Sequence, residues 1–229
     1  MKIFKYLLAC VVISNAGVVK AQDDYNYDES EAVNDGVHKL DVTSLDWDEY
    51  YDKEHSCGIM GTALHLESKK KDAFAMAVAN FPIDVKKDFT ITAKLKVSSI
   101  NSESSFGLIL NYKDDENYDL GLFKENEFKF VRVEGGEWVD ASEKKSKGKK
   151  GKAKSNEVKL KLKKAKNAVV EVKLQQKGSK MLFSINGDEN FYSRRNLDLE
   201  KSDFGFYTDK KSWLNVEMIE ITQYEEHDD

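Results

Sequence analysis

Between Asp114 and Asp119 the chain reads DDENYD, a run of carboxylate and amide oxygens dense enough to suggest a hard cation such as calcium. A calcium-binding loop counted from Asp115 needs glycine at its sixth position. That position is Leu120, and Gly121 comes one residue late. Tyr118, Leu120 and Leu122 also alternate as a strand would, which separates Asn117 from Asp119. The expectation is a solvated hairpin loop, at which any calcium would be a rim ion held partly by backbone carbonyls. No metal or cofactor is assigned. His55 and Cys57 stand too far from other ligand types to make a zinc site. No Cys/His/Asn pattern activates Cys57, so it is expected to be a buried structural thiol.

The aromatic residues suggest different chemistry. A sugar ring has an apolar face that stacks on tryptophan or tyrosine, while its hydroxyls need polar partners around the rim. Five residues are candidates for such contacts. Trp47 lies among Asp46, Asp48, Tyr50 and Tyr51, Trp138 follows the Gly135-Gly136 turn, and Trp213 opens the last strand. Tyr112 and Tyr118 flank the acidic run. Trp47 is expected to be the least core-like of the tryptophans, because DWDEYYDKEH is heavily charged and has no strand alternation.

The strongest charge feature is EKKSKGKKGKAKSNEVKLKLKKAK at 143–166, with twelve lysines. Lys144, Lys145, Lys147, Lys149, Lys150, Lys152 and Lys154 lie in a stretch with no apolar residue beyond Ala153, so 143–156 reads as a disordered basic insertion. Residues 157–162 alternate and read as a basic-faced strand. Such a block attracts anionic polymers in a salt-dependent way without reading their chemistry. Specific nucleic-acid recognition is not expected. The whole chain carries a formal charge of −5, the arginines (Arg132, Arg194, Arg195) lie outside the block, and its lysine-rich core has no aromatic for bases to stack on.

The elements that would position these residues begin after a short leader. Lys2 and Lys5 precede the apolar run YLLACVVISNA, and Val19-Lys20-Ala21 offers a small-residue exit, so residues 1–21 read as a secretory signal peptide. Leu7-Leu8-Ala9-Cys10 resembles a lipobox, but the apolar segment before it is too short, and lipid anchoring at Cys10 is set aside. The apolar run is also too short to span a bilayer. Export to the periplasm, cell surface or exterior would leave Cys57 without a disulfide partner. Residues 22–35 form an acidic, disordered lead-in, and 36–225 form one domain.

Within that domain the period is two. DFTITAKLKVS places Phe89, Ile91, Ala93, Leu95 and Val97 on one face, with Thr90, Thr92, Lys94 and Lys96 on the other. Similar segments recur at 62–68, 73–79, 105–112, 117–124, 127–133, 168–176 and 180–186, and from DFGFYTD to the terminal WLNVEMIEITQY. Asn186-Gly187 carries type I′ turn chemistry, and Pro82 is expected in a connection. About a dozen short strands with almost no helical period indicate an all-β, two-sheet antiparallel sandwich.

Two blocks carry a resemblance: FGLILNYKDDENYDLGLF, and the hairpin VEVKLQQKGSKMLFSING. The segments from Asp84 to Tyr224 resemble the concanavalin A-like lectin/glucanase superfamily in its laminin-G-like form. The resemblance implies a jelly-roll fold that serves lectins, glycosidases and adhesion modules alike. Hydrolytic members carry alternating carboxylates on a central strand, facing the sugar cleft. No predicted strand here carries such a run, and Glu217 and Glu220, three apart, are expected on opposite faces. The reading is an exported, non-catalytic binding or interaction module with carbohydrate as the first ligand class. One alternative is a glycoside hydrolase-like enzyme of the same fold. The other is an adhesion module that docks an anionic surface polymer through the lysine-rich loop.

Overall fold

A computed structural model describes residues 36–125, 127–140, 165–178, 180–193 and 201–223. The leader at 1–21, the acidic lead-in at 22–35 and the basic insertion at 143–156, with all seven of its candidate lysines, lie outside the described residues.

Among the described residues fifteen strands form two antiparallel sheets. The larger contains β1 (Gly36–Leu40), β2 (Tyr50–Tyr51), β3 (His55–Met60), β4 (Ala63–Ser68), β6 (Phe89–Ile100), β11 (Ala165–Lys177), β12 (Lys180–Ile185), β13 (Asp188–Ser193) and β15 (Trp213–Gln223). Its order is β13-β12-β11-β6-β15-β4-β3-β2, with β1 also paired to β15. The smaller sheet contains β5 (Phe74–Asp84), β7 (Phe106–Asp114), β8 (Asn117–Lys124), β9 (Glu127–Glu134), β10 (Glu137–Asp140) and β14 (Lys201–Asp209), in the order β10-β9-β8-β7-β14-β5. Among the described residues no helix is long and apolar enough to cross a membrane.

The alternation read from DFTITAKLKVS sets the core. Phe89, Ile91, Ala93, Leu95 and Val97 of β6 are all buried, facing the inward residues of the smaller sheet. Phe128 of β9 stacks on Phe183 of β12 with ring centroids 4.1 Å apart, which ties the two sheets together. Asn186 and Gly187 take φ values of 50° and 84°, as a two-residue type I′ hairpin requires.

Three local expectations are corrected. Trp47 is in the core. It is 6% exposed, packs against Phe204 and Phe206, and donates from Nε1 to the Val42 carbonyl at 2.8 Å. Its charged neighbours reflect an irregular strip along the sheet edge, where alternation gives no signal. Pro82 lies within β5, between Ala79 and Ile83, where the pairing with β14 shifts register. An edge strand at an irregularity tolerates the missing N–H. Glu217 and Glu220 share the outer face, because a register shift between Val216 and Met218 inserts an extra residue into β15.

The free edge of β5 is covered by the strip that holds Trp47. The Tyr50 hydroxyl donates to the Met76 carbonyl at 2.8 Å and accepts from the Met76 N–H at 3.0 Å. Trp47 forms a bridge with Ala79, and the Asn80 N–H donates to the Asp46 carbonyl at 3.2 Å.

Inside the sandwich, at the start of β8, Asp119 is 2% exposed. It accepts from Arg132 Nε at 2.7 Å and Nη2 at 3.2 Å, and from Asn111 Nδ2 at 2.7 Å.

Candidate functional site

Alternation along the smaller sheet leaves half of its residues on the face turned away from its partner. In β8, Tyr118, Leu120 and Leu122 occupy that face while Phe123 joins the main core. In β14, Tyr207 takes it while Phe204 and Phe206 point inward. Together with Ile109, Val131 and Val133 these form a second apolar cluster.

At one end of this outer face is a cleft of about 320 Å³. Leu122 and Tyr207 supply buried apolar surface. Phe74 stacks on Tyr207 with centroids 5.6 Å apart and ring planes 19° from parallel. Trp138, 55% exposed, lines the cleft from β10. The result is an aromatic surface with both wet and dry parts.

The polar lining is mixed in charge. Lys124 and Glu127 satisfy each other at 2.6 Å. Asp209 is 7% exposed, and its Oδ1 accepts from the Ser105 N–H at 2.7 Å. Burial raises its pKa, opposed by the Ser105 hydrogen bonds and by Lys210 and Lys124. Burial, then the Asp209 charge, pushes the Tyr207 phenol well above its ordinary value, so that hydroxyl keeps its proton and can donate. A carboxylate offers about four acceptor sites. Ser105 uses part of this capacity, which leaves room for a ligand hydroxyl.

The turn after Asp209 is held rigidly. Its carbonyl accepts from the Ser212 hydroxyl, which also meets Thr208 Oγ1 at 2.6 Å. Lys210 and Lys211 take left-handed φ values of 55° and 57°. Their N–H groups donate to the carbonyls of Ala73 and Lys70, both at 3.1 Å. The β14–β15 turn and the β4–β5 loop therefore brace each other at the cleft mouth.

Of the five aromatic residues proposed from sequence, Trp138 reaches the cleft. Trp213 lies half-buried on the larger sheet, with its ring 6.2 Å from His65. Tyr118 is buried in the second cluster, 6.3 Å from the ring of Tyr112. The acidic run holds itself together. Asp114 Oδ1 accepts from Glu116 N–H and Asn117 Nδ2, and Asp115 accepts from the Tyr112 hydroxyl at 2.6 Å. Among the described residues no cluster of three or more His, Cys, Asp or Glu side chains could hold a metal ion. Cys57 is fully buried, which pushes its thiol up to about 12, helped by Glu49 and Asp48.

Sequence reasoning missed Phe74, Tyr207, Asp209 and Lys210. The signal lay in DFGFYTD, where Gly205, Tyr207 and Asp209 alternate against Phe204, Phe206 and Thr208. An aromatic residue and a carboxylate on the non-core face of a strand depart from the solvated polar residues that alternation usually places there.

The carbohydrate recognition domain of Emp47p superposes with a TM-score of 0.56 at 8% identity, covering 82% of this chain and 95% of that one. That of Emp46p, in its potassium-bound form, gives 0.54 at 9%, covering 81% and 96%. The chain has a concanavalin A-like jelly-roll fold. This concanavalin A-like sandwich also superposes on the carbohydrate-binding module CBM66 from Bacillus subtilis, with a TM-score of 0.49 at 12% identity, covering 80% and 94%. No protein-family model and no curated protein sequence matches it.

Proposed function

We propose that this protein is an exported, non-catalytic carbohydrate-binding module, and that the cleft on the outer face of the six-stranded sheet is its sugar site. The observation that carries the reading is the stacked Phe74–Tyr207 pair facing a cleft that Trp138 and the buried Asp209 also line. Aromatic faces take the apolar side of a pyranose, and a fixed carboxylate takes its hydroxyls. Two of the domains it superposes on, those of Emp47p and Emp46p, are carbohydrate recognition domains by name, which agrees with this reading. Export rests on the leader-like residues 1–21.

Binding rather than hydrolysis is favoured by the state of the carboxylates. Asp72, Glu127 and Asp209 line the cleft, but Glu127 is paired with Lys124 and Asp209 is bonded to Ser105. A glycan array followed by calorimetry tests the proposal. Trp138→Ala is expected to weaken binding roughly tenfold or more, because exposed aromatic anchors carry much of such contacts. Trp213→Ala, on the other sheet, should change little. Unchanged binding in Trp138→Ala, or release of reducing ends from a bound glycan, would overturn the reading.

A further inference from the structure

The cleft has a charge character that a neutral sugar would not need. Four lysines line it (Lys71, Lys124, Lys129 and Lys210) against three carboxylates, in a chain of formal net charge −5. Lys124 is neutralised by Glu127. Lys71, Lys129 and Lys210 are exposed and form no side-chain ion pair among the described residues. They come from three separate elements: the β4–β5 loop, β9 and the β14–β15 turn. Their charges are therefore distributed around the cleft rather than gathered at one point.

Lys210 is the most informative of the three. A left-handed backbone costs a non-glycine residue roughly 1–2 kcal/mol, and glycine or asparagine would relieve most of that. Two lysines in succession take this conformation here, at 55° and 57°, braced by the carbonyls of Ala73 and Lys70. Strain of this kind persists where the surrounding structure enforces it, and it gathers at ligand clamps. The strained residue is a cation on the cleft wall.

We infer that the cleft selects an acidic polysaccharide, one whose sugar rings carry carboxylate or sulfate groups. The inference rests on the carbohydrate-binding reading above and names the ligand class for the same site. Ring faces would lie on the exposed Phe74 and Trp138, with Tyr207 stacked behind Phe74 as its support, Asp209 would accept ring hydroxyls, and Lys71, Lys129 and Lys210 would meet the anionic substituents. Lysine suits this arrangement because it is a compact point charge on a flexible stem that can follow charges spaced along a polymer.

The test must separate the cleft from the lysine-rich segment at 144–154, whose charge alone would attract a polyanion at low salt. Calorimetry on the full-length chain would compare a polyuronate hexasaccharide with a neutral hexasaccharide at 0.05 M and 0.3 M NaCl. Three variants are compared: Lys129→Gln with Lys210→Gly, Trp138→Ala, and the segment with its seven lysines changed to Gln. The expected result is tighter binding of the uronate than of the neutral sugar. The cleft-lysine variant should lose roughly tenfold or more for the uronate alone, and the segment variant should lose far less at 0.3 M NaCl. Lys210→Gly should also melt no lower than the parent, so the loss cannot be blamed on unfolding. Equal binding of both sugars, or a cleft-lysine variant that keeps full uronate affinity, overturns the acidic class while leaving a sugar site intact. Uronate binding that vanishes in the segment variant and survives Trp138→Ala overturns both readings.

Discussion

Replacing Arg132 by methionine removes the cation that holds Asp119. Asp119 has 3% of its side chain exposed and Arg132 has 17%, so the carboxylate is the more deeply buried partner. The substitution leaves the Asn111 amide as its one remaining partner among the described residues. Breaking a buried pair from one side costs about 3–5 kcal/mol, because an uncompensated charge stays behind. The partial exposure of Arg132 lets water approach and places the expected cost in the lower half of that range. For a domain of this size each kcal/mol moves Tm by about 2–4 °C, so Arg132→Met should melt roughly 6–16 °C lower. Adding Asp119→Leu removes the stranded charge but leaves the Asn111 amide, 7% exposed, without its acceptor. That residual should cost about 1–3 kcal/mol. Circular dichroism melts and urea titrations should therefore rank the parent first, the double variant second and Arg132→Met last. A single variant that melts within 2 °C of the parent, or a double variant no better than the single, would refute this account of the ion pair.

Three further outcomes follow from the geometry. A Cβ at Gly205 would lie 2.2 Å from the Ala77 carbonyl oxygen, whereas one at Gly58 would meet the Tyr51 hydroxyl, the tip of a 65% exposed side chain. Gly205→Ala should thus cost about 2–3 kcal/mol and Gly58→Ala well under 1 kcal/mol in chemical denaturation, with equal costs counting against the strand spacing. Burial raises the Asp209 pKa above 3.8, so its charged form weakens the fold once pH climbs past the unfolded value and through the folded one. Asp209→Asn should then be at least as stable as the parent at pH 7, with the gain gone at pH 3, while glycan affinity falls; lower stability at pH 7 would contradict the cause assigned to the shift. Cys57, with its thiol at about 12 and no exposed surface, should resist a bulky maleimide at pH 8 until denaturant is added, and rapid labelling of the native protein would show that β3 opens.

What could be read in the sequence was whatever period two encodes. The inward set on β6 and the turn at Asn186-Gly187 need only local chemistry, and both appear as expected. Glu217 and Glu220 could not be placed, because a single inserted residue in β15 reverses parity and nothing local marks it. Trp47 misled because its burial depends on Phe204 and Phe206, more than 150 residues away. The cleft was hidden for the same reason. Phe74, Trp138 and Tyr207 come to line one cleft only through the order β10-β9-β8-β7-β14-β5, and pairing order is a property of the whole sandwich.

The strip along β5 has a consequence for the protein in a crowded solution. An open sheet edge is a template on which a second molecule can add a strand, and runaway addition is how sheet proteins aggregate. At β5 the positions that would template it are already occupied or mute. Met76 is held through both backbone groups by the Tyr50 hydroxyl, Asn80 donates to Asp46, and Pro82 has no N–H to offer. The covering strip is itself a poor template, since Asp46, Asp48 and Glu49 surround Trp47, whose buried ring anchors it beside the Tyr50 contact. The charged, irregular stretch DWDEYY is thus a gatekeeper, a short neighbour that blocks strand addition at the β5 edge of the smaller sheet.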